Sequence, residues 1–129
     1  MTGPGQDKAP DWYARPVLHV ADVQASLDFY RDKLGFTEAW RFAEDGQLFV
    51  AQVERNGTAI IFSNQWPEKR GKGLLFVNPG DGSLETMNAA RADLEALGAP
   101  VTDGEWGYRL FVVTDPDGNQ LFFNYPAET

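Results

Sequence analysis

The sequence contains no cysteine and only one histidine, His19. Disulfides and thiolate metal ligands are therefore excluded, and so is any metal site that takes two imidazole ligands from one chain. Long apolar runs are missing too, because charged residues interrupt every hydrophobic stretch before the ~20 residues of a membrane span. The first ten residues have no apolar segment of the kind found in secretory signals. We therefore expect a cytoplasmic protein.

Basic residues are also scarce. Eleven lysines and arginines stand against nineteen aspartates and glutamates, which gives a formal net charge of −8 at pH 7. A nucleic-acid-binding face needs concentrated positive charge, so the composition argues against a nucleic acid partner. An acidic surface steers cationic ligands toward it, but acidity is equally common in soluble proteins that bind no cation.

The 129 residues fit one domain, and 43% of them are hydrophobic, which is enough for a core. The first half predicts a strand at Arg15–Val20, and Asp22 then caps a helix that Gly35 ends. Three strands follow, joined by Asp45-Gly46 and Asn56-Gly57, dipeptides suited to type I′ hairpin turns. The helix has an apolar stripe at Val23, Leu27, Tyr30 and Leu34, and the three strands are Phe36–Phe42, Leu48–Glu54 and Thr58–Ser63.

The second half repeats this pattern. It predicts a strand at Gly73–Val77, a helix that Ser83 caps and Gly98 ends, and two strands around the turn Asp115-Pro-Asp-Gly118. The second helix has a predicted buried stripe at Leu84, Met87, Ala90, Leu94 and Leu97, and the strands are Arg109–Thr114 and Gln120–Tyr125. We therefore divide the chain into a flexible arm (1–12), a first module (13–64), a linker (65–72), a second module (73–126) and a short tail (127–129).

Several motifs resemble a known superfamily. Pro16-Val-Leu-His-Val-Ala-Asp22, Ser26-Leu-Asp-Phe-Tyr30, Leu34-Gly-Phe36 and Asp115-Pro-Asp-Gly-Asn119 are similar to the vicinal-oxygen-chelate proteins, that is, the glyoxalase, bleomycin-resistance and extradiol dioxygenase superfamily. The resemblance covers residues 14–126. It implies an α+β fold of paired βαβββ modules whose curled mixed sheets surround a cavity. It also implies a homodimer, with exchange of the N-terminal strand at Pro16.

The enzymes of that superfamily hold a divalent ion on four strand positions. The resemblance places Arg15, Ile61, Lys72 and Phe122 at these positions, and none of them is an ordinary metal ligand. His19 is interpreted as a strand residue with a satisfied hydrogen bond. We therefore expect no metal cofactor and none of the metal-dependent glyoxalase, dioxygenase or fosfomycin-transferase activities.

Aromatic residues are concentrated on the strands. Period-two alternation places Trp40 and Phe42 on one face of their strand, although such residues commonly form the core. Trp106 lies in a polar segment where it is hard to bury, and Gly107 beside it allows close approach to the backbone.

Within the superfamily the chain most resembles the bleomycin-resistance proteins, which bind the drug in a groove at the dimer interface without transforming it. The resemblance implies an aromatic, cationic ligand such as bleomycin, whose planar rings stack on aromatic faces. The expected ligand-binding residues are Trp40, Phe42, Phe49, Ser63, Phe76, Trp106, Gly107, Tyr108 and Phe122. Candidate anions for the cationic end are Glu38, Glu44, Asp45, Asp103 and Glu105.

Alternatives remain open at this point. The N-terminal extension, Gln65-Trp66 and Leu110 depart from the best-known drug-binding members. One alternative is a metal-independent lyase or isomerase that uses Arg15, Lys72, Tyr108 or Arg109 to anchor a carboxylate or to transfer protons. Another is a protein that binds a different aromatic metabolite.

Overall fold

The computed structural model describes residues 10–127. Most of the predicted arm, residues 1–9, and the end of the predicted tail, residues 128 and 129, lie outside the described residues. The first half contains β1 (Val17–His19), α1 (Val23–Leu34), β2 (Thr37–Glu44), β3 (Gln47–Arg55) and β4 (Thr58–Ser63). The second half contains β5 (Leu74–Phe76), α2 (Leu84–Ala96), β6 (Val101–Glu105), β7 (Arg109–Thr114) and β8 (Gln120–Asn124).

The strands form two four-stranded mixed sheets with the same internal arrangement. The first sheet has the order β1-β4-β3-β2 and the second β5-β8-β7-β6, with β1 parallel to β4 and β5 parallel to β8. The remaining neighbours are antiparallel. The predicted α+β fold of paired βαβββ modules is confirmed. In this chain β1 pairs with its own β4, and strand exchange with a second copy stays a prediction.

The first helix begins and ends where its sequence indicates. The side chain of Asp22 accepts a hydrogen bond from the Ala25 amide at 3.1 Å, and Gly35 has a φ of +74°. Both predicted hairpin turns have positive φ at each central residue: Asp45 and Gly46 in one, Asn56 and Gly57 in the other. The stripe of α1 packs on the sheet, and its buried members are Val23, Ser26, Leu27, Tyr30 and Leu34.

The second module differs from its prediction in two respects. A strand that the sequence did not indicate, β6, pairs antiparallel with β7 and completes the module. The predicted apolar stripe of α2 is wrong in part, because only Met87 and Leu94 are buried. Leu84 is 51% exposed, and Leu97, whose side chain reaches Gly35, is still 39% exposed. No helix in residues 10–127 has the length and apolarity needed to cross a bilayer.

A buried polar group joins the two modules. The Tyr30 hydroxyl on α1 donates to Asp115 Oδ2 at 3.0 Å, although the two residues are 85 positions apart. Asp115 also accepts from the amides of Asp117 and Asn119, and Asn119 donates to the His19 carbonyl. Burial raises the pKa of Asp115 above its usual value, and the hydrogen bonds from Asn119 and Tyr30 oppose that rise. The Asp115-Pro-Asp-Gly-Asn119 turn therefore fixes the relative position of the modules.

Candidate ligand-binding faces

Each sheet packs one side against the core and turns the other side away from it. Strand alternation and register decide which residues lie on that outer side. We call the outer side of the first sheet the first face. It carries Val17, His19, Trp40, Phe42, Val50, Gln52, Ile61 and Ser63. We call the outer side of the second sheet the second face, and it carries Leu74, Phe76, Leu110, Val112, Gln120 and Phe122.

Trp40 and Phe42 lie side by side on the first face, as their spacing predicts. Trp40 is opposite Gln52 and Phe42 is opposite Val50. The two aromatic side chains are 40% and 52% exposed, so neither is part of the core of this chain. They offer ring surface to a ligand or to a second protein chain.

Gln52 organises the centre of the first face. Its Oε1 accepts hydrogen bonds from Arg15 at 2.8 Å and from the Trp40 indole N–H at 3.2 Å, and its Nε2 donates to Glu54 at 2.6 Å. Arg15 and Trp40 are only donors here and Glu54 is an acceptor, so one orientation of the amide satisfies all three partners. Gln52 is 4% exposed. Gln52 was not among the predicted site residues, because its position opposite Trp40 depends on the register between β2 and β3.

Ser63 and His19 lie at the other side of the first face, under the linker. Ser63 is buried, and its hydroxyl accepts from the Gln65 amide at 3.3 Å. His19 contacts the ring of Trp66 edge-on, with 5.5 Å between centroids. His19 lies on a strand as predicted, but its Nδ1 is buried without the expected hydrogen-bond partner among residues 10–127. The linker thus covers the predicted ligand residue Ser63.

Phe49 does not take part in the regular pairing of its strand. The register between β2 and β3 shifts between Phe42, which pairs with Val50, and Ala43, which pairs with Leu48. Phe49 therefore has no partner on β2, and its carbonyl accepts from the Asn64 amide at 3.3 Å. Such a bulge changes which side chains share a face. Leu48 packs against the core, and Phe49 is half-buried.

The second face carries an aromatic cluster. Phe76 and Trp106 are stacked with 5.6 Å between ring centroids and 14° between planes, and Phe122 meets both rings edge-on at 5.6 and 5.9 Å. Phe76 and Phe122 are register partners on parallel strands. Trp106 follows β6 and remains 56% exposed. These three predicted ligand residues are brought together and still present ring surface to the outside.

A hollow of about 470 Å³ adjoins this cluster. Leu74, Val112 and Phe122 form its apolar lining together with Trp106, and Lys72 and Glu105 supply charge at its border. Gly104 also lines it, and a Cβ there would lie 2.7 Å from Leu110 Cδ1. The glycine therefore leaves room for Leu110 on this face. The volume is within the roughly 300–1,000 Å³ of small-molecule sites.

Gly107 and Tyr108 form the turn between β6 and β7. Gly107 has a φ of +76°, a conformation that L side chains rarely adopt, and the space around it is open. The Trp106 amide donates to the Tyr108 carbonyl at 3.0 Å, and the Tyr108 side chain is 40% exposed. The turn therefore holds Trp106 beside the hollow.

Two of the candidate anions are already neutralised. Arg41 pairs with Glu38 at 2.7 Å, and its hydrogen bond lowers the pKa of that carboxyl. Asp103 faces α2, where a hydrogen bond from Arg91 at 2.7 Å lowers its pKa. Glu44 and Asp45 are exposed at the β2–β3 hairpin, and Glu105 alone of the five lines the hollow.

The four residues that the sequence resemblance places at metal positions are not ordinary ligands of a divalent ion. Arg15 bonds to Gln52, while Ile61 and Phe122 offer hydrocarbon to the two faces. Lys72, beside the hollow, is cationic. Residues 10–127 contain no cluster of three or more histidine, aspartate or glutamate side chains able to hold a metal.

One residue proposed for proton transfer already has a partner within the chain. The guanidinium of Arg109 lies over the Tyr125 ring, 4.1 Å from its centroid.

Two βαβββ modules, joined at a buried Asp115 and carrying outward aromatic faces, define the general class of the protein. The sequence matches the model of the Glyoxalase/Bleomycin resistance protein/Dioxygenase superfamily over residues 11–123. The chain belongs to this superfamily, which contains both enzymes and binding proteins. No curated protein matches the sequence.

Solved structures share the fold at low identity. The bleomycin-binding protein of bleomycin-producing Streptomyces verticillus, complexed with copper(II)-bleomycin, is 23% identical with a TM-score of 0.68, covering 93% of this chain and 100% of that one. TnmS3, an antibiotic binding protein from Streptomyces sp. CB03234, is 22% identical with a TM-score of 0.64 and the same coverage. A superfamily member from Sphaerobacter thermophilus is 24% identical with a TM-score of 0.60, covering 90% and 98%.

Proposed function

We propose that this protein is a metal-independent binding protein that sequesters a planar aromatic, cationic small molecule of the bleomycin type. The observation that carries the proposal is the cluster of Phe76, Trp106 and Phe122 beside a hollow of about 470 Å³. A planar ring gains about 0.5–1.5 kcal/mol for each good aromatic contact beyond its buried area. The two antibiotic-binding neighbours from Streptomyces add support from proteins of the same fold.

The proposed groove lies between two copies of the chain. Trp40 and Phe42 on the first face and Phe76 and Trp106 at the second face are each at least 40% exposed in the single chain. Contiguous exposed apolar surface is typical of interaction sites, and a two-fold dimer repeats any such contact. Both faces together would clamp the ligand. The net charge of −8 favours its cationic end, and Glu105 offers a carboxylate at the border of the hollow, which Lys72 shares.

Calorimetric titration with copper-free bleomycin tests the proposal. We expect one ligand per chain, and at least about 30-fold weaker binding by Trp106→Ala, as for the truncation of a central aromatic anchor. Leu84→Ala is the control, because this exposed leucine lies on α2, outside both faces. Equal affinity of the wild type and Trp106→Ala would reject the assigned site. Native mass spectrometry of the wild type should show a dimer, and a stable monomer would reject the interface groove.

A further inference from the structure

The second sheet has another cavity on its core side, facing α2. Its volume is about 510 Å³. It lies between the two modules, because the end of α1 and the β3–β4 turn supply one wall while α2 and β8 supply the other. Ligand sites occur preferentially between such units. The apolar lining includes Leu34, Phe36, Val77, Leu94, Leu121 and Phe123.

The sparse packing of α2 accounts for this cavity. Only Met87 and Leu94 of the helix are buried. Beside Leu94, the helix lines the space with Asp93 and with three small residues, Thr86, Ala89 and Ala90. Protein interiors normally leave few voids larger than a water molecule. An apolar space of this size therefore suits a small organic molecule.

The polar groups of the lining select among ligands. Asp93, the acidic residue there, is paired with Arg55, which also donates to the Leu34 carbonyl at 2.6 Å. A guanidinium has five N–H groups, so Arg55 retains donors beyond these two contacts. Asn56 and Asn78 add carboxamides. The charges of Asp93 and Arg55 balance, so the lining has no unpaired carboxylate to hold a cation. The remaining N–H groups of Arg55 and of the two carboxamides can donate to an accepting group.

We propose that this cavity binds a compact molecule with an apolar body and one accepting end, of the aromatic carboxylate class. The cavity is distinct from the second face, because alternate residues of β8 point to opposite sides of the sheet. Phe122 of β8 lies on the second face, whereas Leu121 and Phe123 line the cavity. The two sites lie back to back across one sheet, and each can be filled without the other.

Titration of the full chain with 1-naphthoate tests the proposal. Ala90→Trp fills the cavity and should weaken binding at least tenfold. Ala92→Trp is the matched control, because Ala92 is an exposed residue of the same helix that does not line the cavity. Unchanged affinity in Ala90→Trp, or no binding by the wild type, would overturn the proposal.

Methyl NMR of the wild type tests the position of the ligand without any substitution that could disturb folding. On addition of 1-naphthoate the methyl signals of Val77 and Leu121 should shift, and those of Val112 on the second face should not. The reverse pattern would place the ligand at the aromatic cluster and refute the cavity site. 1-Naphthylmethylammonium, a cation of similar shape, should bind at least tenfold more weakly, and equal binding would refute the ligand class.

Discussion

The two sheets have the same strand order, yet their outer faces orient a tryptophan by different means. On the first face Trp40 donates its indole N–H to Gln52, which also bonds Arg15 and Glu54. On the second face Trp106 is held by ring contacts with Phe76 and Phe122. Hydrogen bonds fix one ring and apolar contact fixes the other, so each can be disturbed independently.

The two helices differ in a similar way. α1 buries five residues against its sheet, whereas α2 buries two. The loosely packed helix borders the larger cavity. Burial of apolar surface is the main favourable contribution to folding, so the first module should supply more of the stability of the chain. The second module retains space that a ligand can occupy.

Truncation of one leucine in each helix should show the largest difference. Leu27→Ala on α1, where Leu27 is 2% exposed, should lower the free energy of unfolding by about 2–5 kcal/mol. Leu84→Ala on α2 should change it by no more than about 0.5 kcal/mol, because Leu84 is 51% exposed. Urea unfolding at fixed protein concentration measures both values. Similar losses in the two variants would contradict the difference between the helices.

Removal of the Tyr30 hydroxyl tests the link between the modules. Tyr30→Phe takes one hydrogen bond from Asp115 and should cost about 1.5–3 kcal/mol of unfolding free energy. Burial raises the pKa of Asp115 in the folded chain, so its protonated form favours folding. That contribution is complete below the ordinary aspartate pKa of about 3.9 and is lost as the pH rises through the raised value.

The same variant should change how stability depends on pH. The Tyr30 hydrogen bond favours the carboxylate, so Tyr30→Phe should raise the pKa of Asp115 further and extend the loss of stability to higher pH. Unfolding curves measured from pH 4 to pH 8 provide the comparison. A constant difference between the variant and the wild type over this range would show that the titration of Asp115 is not coupled to Tyr30.

Replacement of Gln52 should affect only the first face. Gln52→Leu removes the acceptor of the Trp40 indole and should cost about 1–2 kcal/mol of unfolding free energy. The indole N–H signal of Trp40 should move in the NMR spectrum while that of Trp106 stays in place. Gln47→Leu, at the exposed start of the same strand, is the control. Movement of both indole signals would show that the two faces are not independent.

The smallest effects are expected at the neutralised anions. Glu38→Gln removes the exposed pair with Arg41, and Asp103→Asn removes the pair with Arg91. Exposed ion pairs contribute little to stability, and each carboxylate is already paired with an arginine. Both variants should keep the urea midpoint and the bleomycin affinity close to those of the wild type. A marked loss of affinity in either one would return that residue to the binding site.

Most of the fold follows from local sequence patterns. Asp22 and Ser83 cap the helices they precede, and the glycine-containing turns end strands where positive φ is needed. β6 was missed because Val101-Thr-Asp-Gly-Glu105 lacks the apolar alternation of a strand, and its pairing with β7 is what makes it one. Helical spacing shows which residues share a side, but it does not show whether anything covers them. The exposed Leu84 and Leu97 are examples.

The candidate site was accessible to prediction only in part. Alternation along one strand is enough to place Trp40 and Phe42 together. The meeting of Phe76, Trp106 and Phe122 depends on β5 lying parallel beside β8, a long-range pairing that no local pattern specifies. The bulge that leaves Phe49 without a partner on β2 is likewise a property of the register between strands.

β2 has one further consequence for the behaviour of the molecule. It is an edge strand, and all eight of its residues are exposed in the single chain. Open strand edges invite pairing with other chains, and charged side chains and bulges discourage it. Both features are present on β2. The charges are those of Glu38, Arg41 and Glu44, and the bulge is the register shift near Ala39. Replacing these three charged residues with neutral ones would remove the charge that keeps the edges of two β2 strands apart. Such a variant should aggregate through edge-to-edge pairing of the folded protein.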